Sequence, residues 1–334
     1  MEPLSQAILG VMGQGLIKTR PNRGKHLKAC LFGALGGIAP DIDYLIRVDS
    51  DPLFTIEYHR QFTHSLFFIP FGSLLVCLVL KIFKVKIKDS YPFVFLGFAT
   101  HGLLDAFTNY GTQLWWPFSS ARVAWNCVAV VDPLLTIPLL VLTIAFIRTN
   151  KRVFNWACWA YIISYLSFGA FQKFRVRQLV LDNQALHSHD SRLMIKPTLG
   201  NNFIWRVIED DGHELHFSAV RLSLIGANTF YPGESVKKVL PKQIATLLGN
   251  NQIQLNDYER FKYFTDDYLY WMNESSVADG RYSLLPYSKD PIWYIEFSPN
   301  ELTKHIRYQT VRKPSPVVRD NLLKIWLGQE LQKP

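Results

Sequence analysis

Charge is missing from long stretches of the first half of this 334-residue chain. Phe62–Leu80 and Val153–Gln172 contain no Asp, Glu, Lys or Arg, and Tyr91–Ile147 contains only Asp105, Arg122 and Asp132. A helix with a water-facing side needs polar residues at a 3.6-residue period, so these stretches argue against an ordinary soluble surface. Cysteine is scarce: Cys30, Cys77, Cys127 and Cys158 lie in or beside apolar segments, with no short pair spacing. That excludes a zinc knuckle or a dense disulfide framework and leaves buried, inert thiols. The chain has no P-loop, GxSxG or GxGxxG arrangement and no internal repeat, which argues against nucleotide binding and an ordinary serine-hydrolase elbow. The opening MEPLSQAILGVMGQGLI lacks a basic n-region, so no signal peptide is expected.

What is present divides near residue 177. Before it, apolar runs near 28–46, 64–83, 91–109, 128–147 and 154–173 have about the length of a membrane span, roughly 20 residues, and a shorter apolar helix falls near 4–17. The expected fold is therefore an α-helical polytopic membrane domain over residues 1–177, with about five spans and a short N-terminal helix, followed by a small soluble α+β domain over 178–334. The net charge is +9. The early bases lie in short loops (18–28, 81–88, 148–152) rather than clustering on one face with aromatics, so nucleic acid is not an expected partner. The same loops suit the cytoplasmic side, which would deliver the C-terminal half to the non-cytoplasmic side. The basic KFRVR stretch, Lys173–Arg177, runs against that orientation.

Seven titratable residues fall at one end of these segments: Asp41, Asp43, His59, His64, His101, Asp105 and Asp132. An acidic side chain deep in a bilayer costs about 2.5–3.5 kcal/mol on the lenient insertion scale, so four aspartates placed independently would cost about 10 kcal/mol. One shared polar cavity holding a divalent cation removes most of that penalty. The spacings agree. HGLLD sets His101 and Asp105 at i and i+4 on one helical face. PDID brings Asp41 and Asp43 to one place only in a turn at a helix end. His59 and His64 are five apart, so one helix cannot aim both inward. The metal ligands expected are Asp41, Asp43, His64, His101 and Asp105. His59 and Asp132 read as general base or outer-shell partner, and Arg60 as the holder of an anionic group. Each has a plainer reading: a His–Asp hydrogen bond, an interfacial histidine, lipid headgroups for Arg60, or a helix cap for Asp132, which precedes Pro133.

The stretches MEPLSQAILG, GGIAPDIDYLI, EYHRQFTHSL, HGLLDAFTNYGTQLWWPFS and WNCVAVVDPLLTIPLL together resemble the YdjM-type membrane-bound metal-dependent hydrolases over about residues 1–150. MIKPTLGNNFIWRV is similar to the tail of longer members. The resemblance implies a bacterial inner-membrane protein with metal-dependent hydrolase activity. It also implies a departure, because many members carry His where this chain has Gln6. More distantly, the HxxxD pattern resembles zinc-dependent phospholipase C and related nucleases, which implies a phosphoester and a lipid-accessible site.

In the second half, FIWRVIEDDGHELHFSAVRL reads as a hairpin around Asp210-Asp211-Gly212, DGRYSLLPYS and PIWYIEFSP as further strands, and ESVKKVLPKQIATLLG and NDYERFKYFTDDYLYWM as helices. LHSHD offers His187, His189 and Asp190, but in a polar, linker-like stretch. The functional expectation is metal-dependent hydrolysis at the non-cytoplasmic membrane surface, with zinc as the default ion and manganese or iron as alternatives. The expected partners are the lipid bilayer and an amphiphilic or phosphoester substrate. The rival is a non-enzymatic membrane protein in which a metal or polar cluster ties helices together and the C-terminal domain binds a partner. A transporter is weaker, since the acids lie near one membrane face and not at the midplane.

Overall fold

Prolines and side-chain caps set the helix starts in the computed structural model, which describes residues 1–17, 22–182, 191–223, 227–311 and 315–329. His187, His189 and Asp190 lie outside the described residues. Glu2 caps α1 (Pro3–Gln14), accepting from the Ser5 amide at 3.0 Å. Asn22 caps α2 (Arg23–Ile38), accepting from the Lys25 amide at 3.0 Å. Each side chain satisfies amide groups that the first helical turn leaves unbonded. Pro40 then tightens the chain into a 3₁₀ stretch, Ala39–Leu45, which carries Asp41 and Asp43. The short α3 (Phe54–Tyr58) and a 3₁₀ turn, Phe62–His64, precede α4 (Ile69–Ile82) and α5 (Ile87–Phe107). Helices α6 (Pro133–Thr149) and α7 (Arg152–Asp182) follow.

The chain folds as two units. The first comprises Met1–Ile46, Tyr58–Phe171 and Leu199–Asn202; the second comprises Arg47–Glu57, Gln172–Thr198 and Phe203 onward. In the first unit α1, α2 and α5 pack at backbone distance. A Cβ on Gly10 would stand 2.1 Å from the Gly33 carbonyl oxygen, so the α1–α2 crossing tolerates no side chain there. Met12, Leu135, Leu139, Phe146 and Cys158 fill the core beside that crossing.

The second unit holds two four-stranded antiparallel sheets. The first joins β1 (Arg192–Pro197), β2 (Ile204–Asp210), β3 (Glu214–Arg221) and β4 (Thr229–Lys237) in sequence order. The second joins β5 (Leu269–Asn273), β6 (Ser276–Asp279), β7 (Trp293–Glu296) and β8 (Arg307–Thr310). Three helices accompany them: α8 (Pro241–Leu248), α9 (Gln252–Phe264) and α10 (Pro316–Leu327). The hairpin expected around Asp210-Asp211-Gly212 is the β2–β3 turn. Strand β2 is buried along its whole length, which places it inside the sheet with both faces covered.

The polytopic membrane domain of about five spans is not what the chain forms. Among the described residues no single helix is long and apolar enough to cross a membrane. The apolar runs cross helix breaks: the run near 28–46 is split at Pro40, the run near 64–83 by the turn before α4, and the run near 128–147 at Pro133. Helix α5 has 21 residues but is diluted by His101 and Asp105, and α7 by Asn155, Trp156, Tyr161 and Ser164. One pair, Phe54–His64 with Ile69–Ile82, has the combined length and composition of a span but bends by 94° at its break. The sidedness inferred from the basic loops rested on those spans and falls with them.

Candidate metal centre

Four side chains from three segments meet in the first unit. Asp41 comes from the 3₁₀ stretch after α2, His64 from the turn before α4, and His101 and Asp105 from one face of α5. His64 Nε2 lies 3.4 Å from Asp41 Oδ1 and 3.4 Å from Asp105 Oδ2. His101 Nε2 lies 3.4 Å from Asp41 Oδ1 and 3.8 Å from Asp105 Oδ2. The two Nε2 atoms are 2.9 Å apart. Donor atoms about 2.0–2.1 Å from a tetrahedral ion stand about 3.3–3.4 Å from one another, so the spacing fits one ion. His64, His101 and Asp105 are buried, while the Asp41 side chain is 23% exposed and gives the cluster its contact with solvent.

The hydrogen bonds behind the cluster decide what its nitrogens present. His101 Nδ1 lies 2.5 Å from the Gly37 carbonyl oxygen, which only accepts, so Nδ1 carries the hydrogen. Thr63 Oγ1 donates to Asp43 Oδ2 at 2.5 Å and therefore accepts from His64 Nδ1 at 2.9 Å. Both rings thus turn a lone pair toward the other. Two lone pairs at 2.9 Å repel unless a cation, either a proton or a metal ion, sits between them. Gln6 Oε1 is buried and accepts no hydrogen bond, and the buried Asp105 Oδ2 is met only by charged groups, the Arg60 Nε at 3.0 Å and the His64 ring at 3.4 Å. On these observations the residues fit a metal ion.

Asp43 takes an outer place. Its Oδ1 meets His59 Nδ1 at 2.8 Å, and its Oδ2 accepts from Thr63 Oγ1 and from the Arg60 amide at 3.3 Å. Both oxygens are already engaged, and Oδ2 lies 3.5 Å from His64 Nδ1, behind the ring. With His59 and His64 it forms a second, overlapping group of possible donors.

The YdjM inner membrane protein family model matches residues 1–176. The chain belongs to this family. The cluster, α1 and the Asp43 shell all lie inside the matched stretch. The chain is also 22% identical over 244 residues, 71% of its own length and 69% of the relative's, to the uncharacterized protein YfhP of Bacillus subtilis (strain 168). No solved structure matches the chain. Residue by residue, this YdjM-family chain places the candidates as follows. His59 sits at the rim, its side chain 15% exposed. Arg60 is buried in the left-handed region (φ 64°), with Nε 3.0 Å from Asp105 Oδ2, Nη1 donating to Thr108 Oγ1 at 2.9 Å and its guanidinium over the Tyr110 ring. It faces the cluster's own carboxylate, not an open anion pocket. Asp132 does not join the group. It caps α6 through the Leu134 and Leu135 amides at 3.1 and 3.4 Å and accepts from the Tyr165 hydroxyl at 2.8 Å, the plainer reading that the following proline offered.

Two contributors, Met1 and Thr63, were not legible as site residues, and Gln6 was legible only through the family resemblance. Gln6 donates from Nε2 to Asp105 Oδ1 at 2.9 Å, and the Met1 amino group pairs with the same oxygen. Thr63 links Asp43 to His64. The Gln6 signal was its departure from the family's histidine; for Thr63 only its place beside His64 pointed to it.

Protonation follows from this packing. Burial disfavours charge on His64, but hydrogen bonds to Asp105, Asp41 and Asp43 outweigh it and lift its pKa to about 10. Burial likewise opposes charge on Asp105, yet Arg60, the Met1 amino group and His64 hold it well below the usual carboxylate range. Asp41 is held down, against burial, by His101 and His64. In the metal-free chain the carboxylates therefore gather positive charge from whatever is available. His59 differs: burial lowers its pKa, and Asp43 only partly opposes this.

Proposed function

We propose that this protein is a metal-dependent hydrolase of the inner membrane, with Asp41, His64, His101 and Asp105 holding one divalent ion. Zinc suits the His₂Asp₂ donor set, with manganese or iron as alternatives. The observation that carries this reading is the approach of the two imidazole Nε2 atoms to 2.9 Å between two carboxylate oxygens. When bound, such an ion polarises the scissile group and lowers the pKa of a water toward about 7. The protein's own groups have distinct parts. Asp43, through Thr63 and directly, fixes the His64 tautomer and orientation. Arg60 balances the charge of Asp105. His59, with Nδ1 held by Asp43 and its pKa lowered, keeps Nε2 as a lone pair at the solvent-touching rim and suits a general base. Helix α4 leaves Leu75, Val79 and Ile82 exposed, a surface suited to lipid and to an amphiphilic ester or phosphoester.

A second reading has its own support. Four protein donors can close a tetrahedral shell, the pattern of structural zinc sites. Metal analysis and turnover separate the two. Purified protein is assayed against p-nitrophenyl esters and amphiphilic phosphoesters, before and after chelation and after metal is returned. Hydrolysis lost to the chelator and restored by metal, with His59→Gln reducing rate and not metal content, supports the hydrolase. Tightly bound metal without chelator-sensitive turnover leaves the structural reading.

A further inference from the structure

In the second unit a serine, a histidine and an aspartate stand in line. His216 Nε2 lies 3.0 Å from Asp211 Oδ2, and His216 Nδ1 lies 2.7 Å from Ser235 Oγ. The carboxylate only accepts, so Nε2 carries the ring hydrogen and Nδ1 accepts from the Ser235 hydroxyl. This is the arrangement in which a base prepares a serine for attack while a third group orients the base.

The fold builds the alignment deliberately. His216 pairs with Ser235, and Ser218 with Pro232, so Gly233 and Glu234 both stand opposite Phe217. This β-bulge swings the β4 side chains relative to β3. It requires glycine at 233, where a Cβ would stand 2.4 Å from the Phe217 carbonyl oxygen. Asp211 is fixed separately, its Oδ1 accepting from the His213 and Glu214 amides at 2.8 and 2.7 Å in the β2–β3 turn. Across the sheet, Glu209 pairs with His216, but its carboxylate is taken by the Ser191 hydroxyl at 2.6 Å. His216 and Ser235 both line a cavity of about 210 Å³ whose apolar wall is Val180, Val207, Phe217 and Phe230. Drug-sized sites run to about 300–1,000 Å³, so this one is cut for a short acyl chain.

We propose that Ser235, with His216 as base and Asp211 as its positioning residue, is a second, metal-independent acyl-transfer site that hydrolyses short-chain esters. Ser235 Oγ attacks the ester carbonyl carbon and forms an Oγ–C bond. Its proton passes to His216 Nδ1 and then to the leaving alkoxide as the C–O bond breaks. Water, deprotonated by His216, cleaves the acyl-serine and releases the carboxylic acid. The Ser235 hydroxyl regains its proton from the imidazole. The nucleophile lies outside any GxSxG turn, because the bulge supplies the geometry that such a turn would.

The test uses full-length protein kept in chelator, so that the metal centre cannot contribute. A small fluorophosphonate probe is applied, and the labelled peptide is located by mass spectrometry. The expected result is modification at Ser235, absent in Ser235→Ala and slowed at least tenfold in His216→Gln, with p-nitrophenyl acetate turnover falling in parallel. Asp211→Asn should slow labelling and shift the midpoint of its pH profile downward, since the imidazolium loses its anionic partner. Ser235 is exposed, so its alanine variant keeps the fold, which circular dichroism checks. Absence of labelling in the wild-type chain, or labelling that persists unchanged in Ser235→Ala, overturns the proposal.

Discussion

Two of the histidine–aspartate clusters differ in how their charges close. In the second unit Arg260 binds Asp51 through Nη2 at 2.7 Å and Asp257 through Nη1 at 3.2 Å, and meets Glu57 through Nε at 2.6 Å. The second Asp257 oxygen takes His305 Nδ1 at 2.9 Å and the Ile306 amide at 3.1 Å. Donors are matched to acceptors, and the network completes itself. In the first unit Asp41, Asp43 and Asp105 face histidine rings whose Nε2 atoms meet at 2.9 Å, and the buried Gln6 Oε1 remains without a donor. Residue content alone does not separate a tie from a binding site. The balance of donors, acceptors and charge does.

The comparison breaks first on metal content. His101→Ala removes a donor from the first cluster, and metal affinity should fall more than about 100-fold, beyond the about 10–100-fold of an outer-shell loss. Equilibrium competition with a chromogenic chelator measures it; unchanged affinity would mean that no ion sits there. The reverse loss belongs to the second cluster. Arg260→Ala strands the buried Asp257 and should lower stability by about 3 kcal/mol, with metal content untouched. Denaturant unfolding read alongside elemental analysis shows whether the two effects separate.

Smaller changes sharpen the contrast. Asp43→Asn should keep the metal stoichiometry and weaken affinity about 10–100-fold, because Asp43 orients His64 from behind; loss of the ion altogether would promote Asp43 to a direct ligand. Asp132→Ala should cost about 1 kcal/mol as a lost cap and leave metal affinity alone, whereas a drop in affinity would return Asp132 to the site.

Lys196 tests charge balance where no partner closes it. Its ammonium is buried over the Tyr282 ring, and Nζ makes no hydrogen bond. Burial and the nearby Arg281 hold its pKa well below the ordinary lysine range. Between that lowered value and about 10.4, the unfolded chain binds more protons than the folded one, so stability rises with pH. Lys196→Met should add about 1 kcal/mol near pH 7 and remove that rise. Thermal melts of both proteins across pH 7–10 would show the curves converging at high pH; parallel curves would refute it.

Much of the candidate site is legible in the sequence. HGLLD has only one helical face on which to put His101 and Asp105, and PDID after a helix-breaking proline had to turn. His59 and His64, five apart, had to part company, and they do: His64 enters the cluster and His59 stays at its rim. The membrane spans were misread because hydrophobicity is a property of composition, while a span needs one unbroken helix. Pro40, the turn before α4 and Pro133 break the runs without making them polar. Gln6 and Thr63 were not readable as partners of Asp105 and Asp43, since nothing in their local sequence records a contact made 99 or 20 residues away.

By itself, then, the chain's order of residues determined the family, the helix starts at Glu2, Asn22 and Asp132, the β2–β3 turn, and which imidazoles and carboxylates were available. These depend on local propensity and short spacing. Only the tertiary structure decided that Asp41 faces the His64 and His101 Nε2 atoms while Asp43 stands behind His64, although two residues separate them. It also set Arg60 against Asp105, and used the bulge at Gly233 to bring Ser235 to His216. A carboxylate's role depends on which hydrogen atoms reach its two oxygens, and those arrive from segments that sequence distance keeps apart and packing brings together.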